Sequence, residues 1–184
     1  MLAPPGMNPR KVLVVFYSRS GTTRVLADLI AAALDADVEE LHDVRDRNGA
    51  RGWLRSIVEA TFVRPAALQP QKHDPMDYDL VVVGTPVWNA RISSPVRTWL
   101  EINVGRLPPV ALFATMGGRG GDRTIAQMTA MVGRSPRATL VARNEEVWRG
   151  QMVDQVAAFM RAIEQSVPTR PPPAMQVQQQ AHAH

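Results

Sequence analysis

Three short stretches concentrate the groups that could do chemistry. Ser18-Arg19-Ser20-Gly21-Thr22-Thr23-Arg24 places four hydroxyls and a glycine within seven residues, just before an amphipathic pattern. Backbone N–H groups at a helix start, aided by the macrodipole, attract an anion, and Ser and Thr hydroxyls can complete the coordination of a phosphate monoester. The plainer reading is an N-cap with spare hydroxyls. The second stretch is Gly84-Thr85-Pro86-Val87-Trp88-Asn89-Ala90-Arg91-Ile92-Ser93-Ser94-Pro95. A tryptophan in a proline-bounded loop offers a flat surface for a planar ring, unless it merely covers the end of a core. Asn89 tolerates a left-handed φ, so the local peptide can take more than one orientation. The third, Thr115-Met116-Gly117-Gly118-Arg119-Gly120-Gly121-Asp122, has four glycines in five residues. Such a backbone can approach a ring closely and offer N–H donors to its edge, or it can be a flexible surface loop. A cradle, a stacking surface and a clamp together suit a ligand with a terminal phosphate and a planar heterocycle.

The elements that must position these stretches are legible as alternating patterns. Lys11–Tyr17, Tyr78–Gly84 and Val110–Thr115 are nearly continuous apolar runs, as expected for strands buried on both faces. Asp37–Leu41 and Ala138–Ala142 are weaker strands. Apolar residues recur at helical spacing from Val25 to Leu34, again after Pro95, from Ile125 to Val132, and from Met152 to Ile163. A further short helix is expected around Trp53, Leu54, Ile57 and Val58. Five strands alternating with helices specify an α/β class with an open parallel sheet covered on both faces. In such sheets ligands sit beyond the carboxyl ends of the strands, where all three stretches fall.

Composition bounds the rest. The chain has 184 residues, 21 Lys plus Arg against 17 Asp plus Glu, and no cysteine. That length suits one domain. The absence of Cys removes disulfides, thiolate metal sites and cysteine nucleophiles, and four His, two of them in the last three residues, leave little for a metal. A net charge of +4 is too small to argue for nucleic acid. The longest early apolar run, Val12–Phe16, is too short for a signal segment or a membrane span, so a cytoplasmic protein without a membrane partner is expected. Residues 1–10 and the Pro- and Gln-rich residues 166–184 read as disordered tails around a domain of residues 11–165. His42 and His73 fall outside the strand-end loops and read as surface or turn residues. Trp53, Trp99 and Trp148 read as core packing, and Asp122 as a helix cap.

Strand-Ser-x-Ser-Gly-Thr-Thr, then Gly-Thr-Pro-x-Trp, then a glycine-rich loop resembles the flavodoxin-like FMN-binding family over about residues 10–165. The resemblance implies a five-stranded parallel sheet in the order 2-1-3-4-5 and non-covalent FMN. It implies that Ser18, Arg19, Ser20, Gly21, Thr22 and Thr23 hold the phosphate. Pro86, Val87, Trp88, Asn89 and Ala90 would flank the isoalloxazine, with Asn89 where a carbonyl turns toward flavin N5. Thr115, Met116, Gly117 and Gly118 would meet the pyrimidine edge. The sequence departs from the family pattern in three ways. The loop after the fourth strand has no second aromatic. Typical flavodoxins are acidic around the flavin, whereas here Arg19, Arg91 and Arg119 surround the site and only Asp122 opposes them; this predicts a stabilised anionic reduced flavin and a higher potential for its formation. Lastly, Asp43–Asp77 is an Arg-rich insert, readable as a lid, an oligomer contact or, most simply, a solvated face.

The topology hosts other activities, so the site must decide. A receiver domain needs an acceptor Asp where Thr85-Pro86 stands. A low-molecular-weight tyrosine phosphatase needs a Cys where Ser18 stands, although Arg24 has the right spacing. What remains is electron transfer through FMN to a redox partner protein, or an NAD(P)H-dependent FMN oxidoreductase using a small planar acceptor such as a quinone. The third possibility is a binding domain for another phosphorylated ligand. None of the flavin readings needs a catalytic side chain or a metal, because the cofactor carries the chemistry.

Overall fold

The computed structural model describes residues 10–44 and 66–166. The terminal tails, the helix expected around Trp53 and most of the Arg-rich insert lie outside the described residues. Strand β1 (Val12–Phe16) is buried along its whole length, as its unbroken apolar run requires. Alternate residues serve opposite faces: Val12, Val14 and Phe16 join one core cluster, and Leu13, Val15 and Tyr17 the other. Helix α1 (Thr22–Leu34) follows, and its Leu26 and Ile30 complete the first cluster together with Val156, Phe159 and Ile163 of a C-terminal helix.

The remaining elements are β2 (Asp37–Glu40), β3 (Leu80–Trp88), β4 (Arg91–Ile92), α2 (Ser94–Asn103), β5 (Val110–Met116), α3 (Gly121–Val132), β6 (Thr139–Arg143), α4 (Asn144–Trp148) and α5 (Val153–Ser166). A single 3₁₀ turn, Pro75–Asp77, precedes β3. The parallel strands run β2-β1-β3-β5-β6, which is the expected order 2-1-3-4-5, and β4 adds an antiparallel pair to β3. α1 and α5 cover one face; α2 and α3 cover the other through Val96, Trp99, Leu100, Ile125 and Met128. Trp99 is fully buried there, as expected. At the centre Gly84 pairs with Phe113, whose ring occupies the space a side chain on Gly84 would need, 2.0 Å from the position of a Cβ.

Edge strand β2 carries Asp37, Glu39 and Glu40 in four residues. Glu39 is buried and accepts the backbone N–H groups of Lys72 and His73 at 2.9 and 3.1 Å. Glu40 forms an ion pair with Arg24 of α1 at 2.6 Å.

Three expectations are corrected. The strand expected to stop at Gly84 continues to Trp88 and turns back as β4, with Val87 opposite Ile92 and Trp88 opposite Arg91. Its two-residue turn, Asn89-Ala90, has φ of 48° and 55°, the left-handed pair that matches the twist of a hairpin. The helix expected after Pro95 begins at Ser94, with Pro95 in the first turn, where a missing N–H costs nothing. Trp148 is not core: it ends α4, a short helix separate from α5, and is 60% exposed.

Candidate functional site

The loop after β1 lifts the chain from Tyr17 to the first turn of α1 through Gly21, whose φ is 91°. No side chain caps this helix, so its first N–H groups are left for something outside the chain, contrary to the plain capping alternative. Arg19 and Ser20 are exposed, and Ser18 Oγ is buried without a hydrogen-bond partner. The two threonines are buried and already engaged. Thr23 Oγ1 lies 2.8 Å from Thr115 Oγ1 at the end of β5, tying two strand-end loops together. Thr22 Oγ1 accepts the indole N–H of Trp148 at 2.9 Å. Arg24 turns away to Glu40, so the spacing that resembled a phosphatase arginine serves the β2 edge instead.

The second and third stretches meet across a cleft of about 560 Å³. Val87, Asn89, Ala90 and Arg91 form one wall; Met116, Gly117, Gly118, Arg119, Gly120 and Arg123 form the other. Their close approach depends on Gly120, at φ 97°: a Cβ there would stand 2.6 Å from Ala90 Cβ. Gln127 Nε2 donates to the Ala90 carbonyl at 3.2 Å and fixes the hairpin tip from α3. Pro86, Trp88 and Thr115 do not line this cleft. Trp88 is half-buried and packs edge-on against Tyr17, with centroids 5.5 Å apart and planes at 85°, while Thr115 is buried against Thr23. Thr85 is also internal, its hydroxyl 3.0 Å from Ser93 Oγ and bonded to the Ser93 N–H.

A further segment, missed from sequence, joins these loops. After β6, Asn144 places its amide nitrogen 3.7 Å from where a Cβ on Gly117 would lie, and its Oδ1 is buried without a partner. Four residues on, Trp148 covers the loop after β1, its ring 3.6 Å from where a Cβ on Gly21 would lie. The signal available was position: both residues follow the carboxyl end of a parallel strand. Asp122 does not cap α3 with its side chain; Gly120 holds the N-cap position, and Asp122 lies in the first turn, where a carboxylate still favours the helix dipole.

Arg91, Arg119 and Arg123 line the cleft, and none is ion-paired among the described residues. His42 is exposed on the β2 side, and His73 Nδ1 lies 2.6 Å from Tyr78 Oη at the opposite, N-terminal end of the sheet. There burial, and next the hydrogen bond to Asp37, push the Tyr78 phenol up to about 12. The backbone N–H of Met76 holds the Asp74 carboxyl below the usual range. Among the described residues no group of three or more His, Asp and Glu is placed to hold a metal, and no helix is long and apolar enough to cross a membrane.

A family model described as flavodoxin matches residues 11–142. The chain belongs to the flavodoxin family. The family's cofactor is FMN. Among solved structures, the chain is similar to a flavoprotein from Lactobacillus acidophilus crystallised in complex with FMN, at 22% identity and TM-score 0.63 over 80% of this chain and 99% of that one. It is also similar to the Trp repressor binding protein of Bacillus subtilis, at 14% identity and TM-score 0.53 over 87% and 100% of the two chains. Rubredoxin oxygen:oxidoreductase from Desulfovibrio gigas matches at 16% identity and TM-score 0.53, over 88% of this chain and 38% of that one. No curated protein matches. At these identities the structural likenesses speak for the flavodoxin fold. The family's cofactor fits the residues present: an uncapped helix start beside the unpartnered Ser18 hydroxyl suits a phosphate, and the cleft beside Gly117 and Gly118 suits a flat ring.

Proposed function

We propose that this flavodoxin-family chain is an electron-transfer flavoprotein that works through non-covalently bound FMN and a redox partner protein. The observation that carries this reading is the lining of the cleft of about 560 Å³: backbone, apolar groups, the Asn89 amide and three arginines, with no carboxylate or imidazole among its described residues. Such a lining supports binding and tuning of a redox ring, whose chemistry needs no acid–base side chain. When bound, FMN supplies the redox chemistry, and the protein supplies position and electrostatics.

The roles divide by geometry. Ser18 and Ser20 offer hydroxyls to the phosphate, while Arg19 offers charge and Gly21 and Thr22 offer backbone N–H groups. Thr23 contributes its N–H, because its hydroxyl is committed to Thr115. Val87, Asn89 and Ala90 flank the ring on the hairpin side, and Met116, Gly117 and Gly118 meet its edge. Pro86 and Trp88 support the hairpin from behind, Trp88 through Tyr17. The left-handed φ of Asn89 and Ala90 makes the tight turn that brings the hairpin tip to the cleft wall. Arg91, Arg119 and Arg123 favour negative charge on the reduced ring and raise its potential. These arginines also suit an acidic partner surface.

A second reading has its own observation. The same three unpaired guanidinium groups at an open cleft would meet the phosphates of a pyridine nucleotide, as in an NAD(P)H-dependent FMN oxidoreductase acting on a quinone. A visible spectrum before and after FMN addition, then with NADPH and NADH under anaerobic conditions, separates the two. Flavin bands that persist until dithionite is added support the carrier. Rapid bleaching by a pyridine nucleotide alone supports the reductase, and no spectral shift with FMN sinks both.

A further inference from the structure

Among the described residues, Trp148 is the one large aromatic at the strand ends that neither the core nor the ring cleft explains. It is 60% exposed, yet its orientation is defined: Nε1–H donates to Thr22 Oγ1 at 2.9 Å and the ring lies against Gly21. An indole nitrogen can only donate, so the direction of this bond is unambiguous. It takes one lone pair of the Thr22 hydroxyl and leaves the hydroxyl proton to be given elsewhere. A phosphate offers acceptors only at neutral pH, so a cradle hydroxyl is useful in proportion to how reliably it donates. Thr22 is buried and stands at the first residue of α1, at the end of the loop that carries Ser18, whose Oγ is buried without a partner.

We infer that Trp148 is a positioning residue for the phosphate end of FMN: it holds the Thr22 hydroxyl as a donor and covers the Gly21 turn, so that α4 contributes to cofactor selectivity. The contribution comes from the loop after β6, which also carries Asn144 against Gly117, so a single segment would brace the cradle and the ring clamp together. This inference rests on the reading that the Ser18–Thr23 loop holds the phosphate. The indole N–H of Trp148 matters for the phosphate and not for the ring.

The test compares FMN with riboflavin, which has the ring but no phosphate. Affinities of both for the full-length protein, for Trp148→Phe, for Thr22→Val and for the double variant are measured by flavin fluorescence quenching, with thermal melting of each variant as a check on folding. The wild type should prefer FMN strongly. Trp148→Phe keeps an aromatic face but loses the N–H, and should weaken FMN roughly five- to tenfold while riboflavin stays within about twofold. In the Thr22→Val background the same change should add little, since the hydroxyl it orients is gone. Equal wild-type affinity for FMN and riboflavin would overturn the phosphate reading itself. A wild type that prefers FMN, with Trp148→Phe unchanged or weakening both ligands alike, would overturn the role of Trp148 alone. Fully additive losses in the double variant would also overturn it.

Discussion

At the N-terminal ends of the strands the polar groups satisfy one another. Tyr78 bonds Asp37 and His73, the Lys11 N–H bonds Asp79, Asp74 caps its turn and pairs with Arg106, and Arg134 reaches the carbonyls of Leu107 and Pro108. At the C-terminal ends Thr22, Thr23 and Thr85 are paired, but other groups are not. Ser18, Ser94, Gln127 and Asn144 each have a buried polar atom without a partner, two consecutive non-glycine residues take left-handed φ, and three arginines face an open cleft. A left-handed alanine such as Ala90 costs about 1–2 kcal/mol, and each unpartnered buried group costs a similar amount. Natural sequences bear such costs mainly where function requires them. One end of this sheet is built for stability, and the other is built to receive a ligand.

The contrast can be broken most decisively at the cradle. Ser20→Asp sets a carboxylate against the phosphate and should abolish FMN binding in a spectral titration, with the melting temperature of the cofactor-free protein nearly unchanged; retained binding would place the phosphate elsewhere. Gly120→Ala should be the costliest of these substitutions for the fold. It forces a Cβ toward Ala90 at a φ that disfavours side chains, and should lower stability by roughly 1–3 kcal/mol in denaturant melts while weakening FMN. Trp88→Ala should cost about 1–2 kcal/mol of FMN affinity indirectly, by removing the edge-on contact with Tyr17 that braces the hairpin behind the cleft. Unchanged affinity in that variant would show that the hairpin holds its place without Trp88.

Arg119→Glu tests the charge at the cleft with a smaller effect. It should lower the potential for forming the reduced flavin by an amount equivalent to about 0.5–1 kcal/mol, read by potentiometric titration. A rise would reverse the electrostatic account. The last variant addresses the satisfied end. Folded Tyr78 keeps its proton to about 12, whereas the unfolded phenol releases it near 10. The stability from this shift is therefore whole below about pH 10 and is lost as pH rises through about 12. Tyr78→Phe should remove that part of the alkaline decline and leave FMN affinity at pH 7 unchanged. A change in flavin binding would mean that the two ends are coupled.

What the sequence made legible follows the same division. The central strands were readable because burial on both faces leaves an unbroken apolar run, and their alternation with helices made the sheet parallel; the strand order came only with the family resemblance. The hairpin of β3 and β4 was not, because its turn is Asn89-Ala90 rather than the Asn-Gly that usually announces one, and Pro86 argues against a strand. The three loops were read from residue types, and two of them do face each other across the cleft. The sequence could not show which hydroxyls were free: Thr22 and Thr23 look like Ser18 and Ser20 on paper, and only the packing of Trp148 and Thr115 against them tells them apart. Trp148 itself was misread because an apolar aromatic on a helix is core far more often than cover.

The acidic edge of β2 bears on how the molecule behaves in a crowd. An open parallel sheet presents a row of unpaired backbone groups on its outer strand, which is a template for another chain to join. Here the outermost strand is four residues long and three of them are carboxylates; Glu39 holds the Lys72–His73 backbone beside it, and Glu40 is occupied by Arg24. A second copy of β2 arriving at this side would meet like charge and a boundary already taken by the Lys72–His73 backbone. The edge therefore discourages fibril-like stacking, a protection that does not depend on the cofactor end of the sheet being filled.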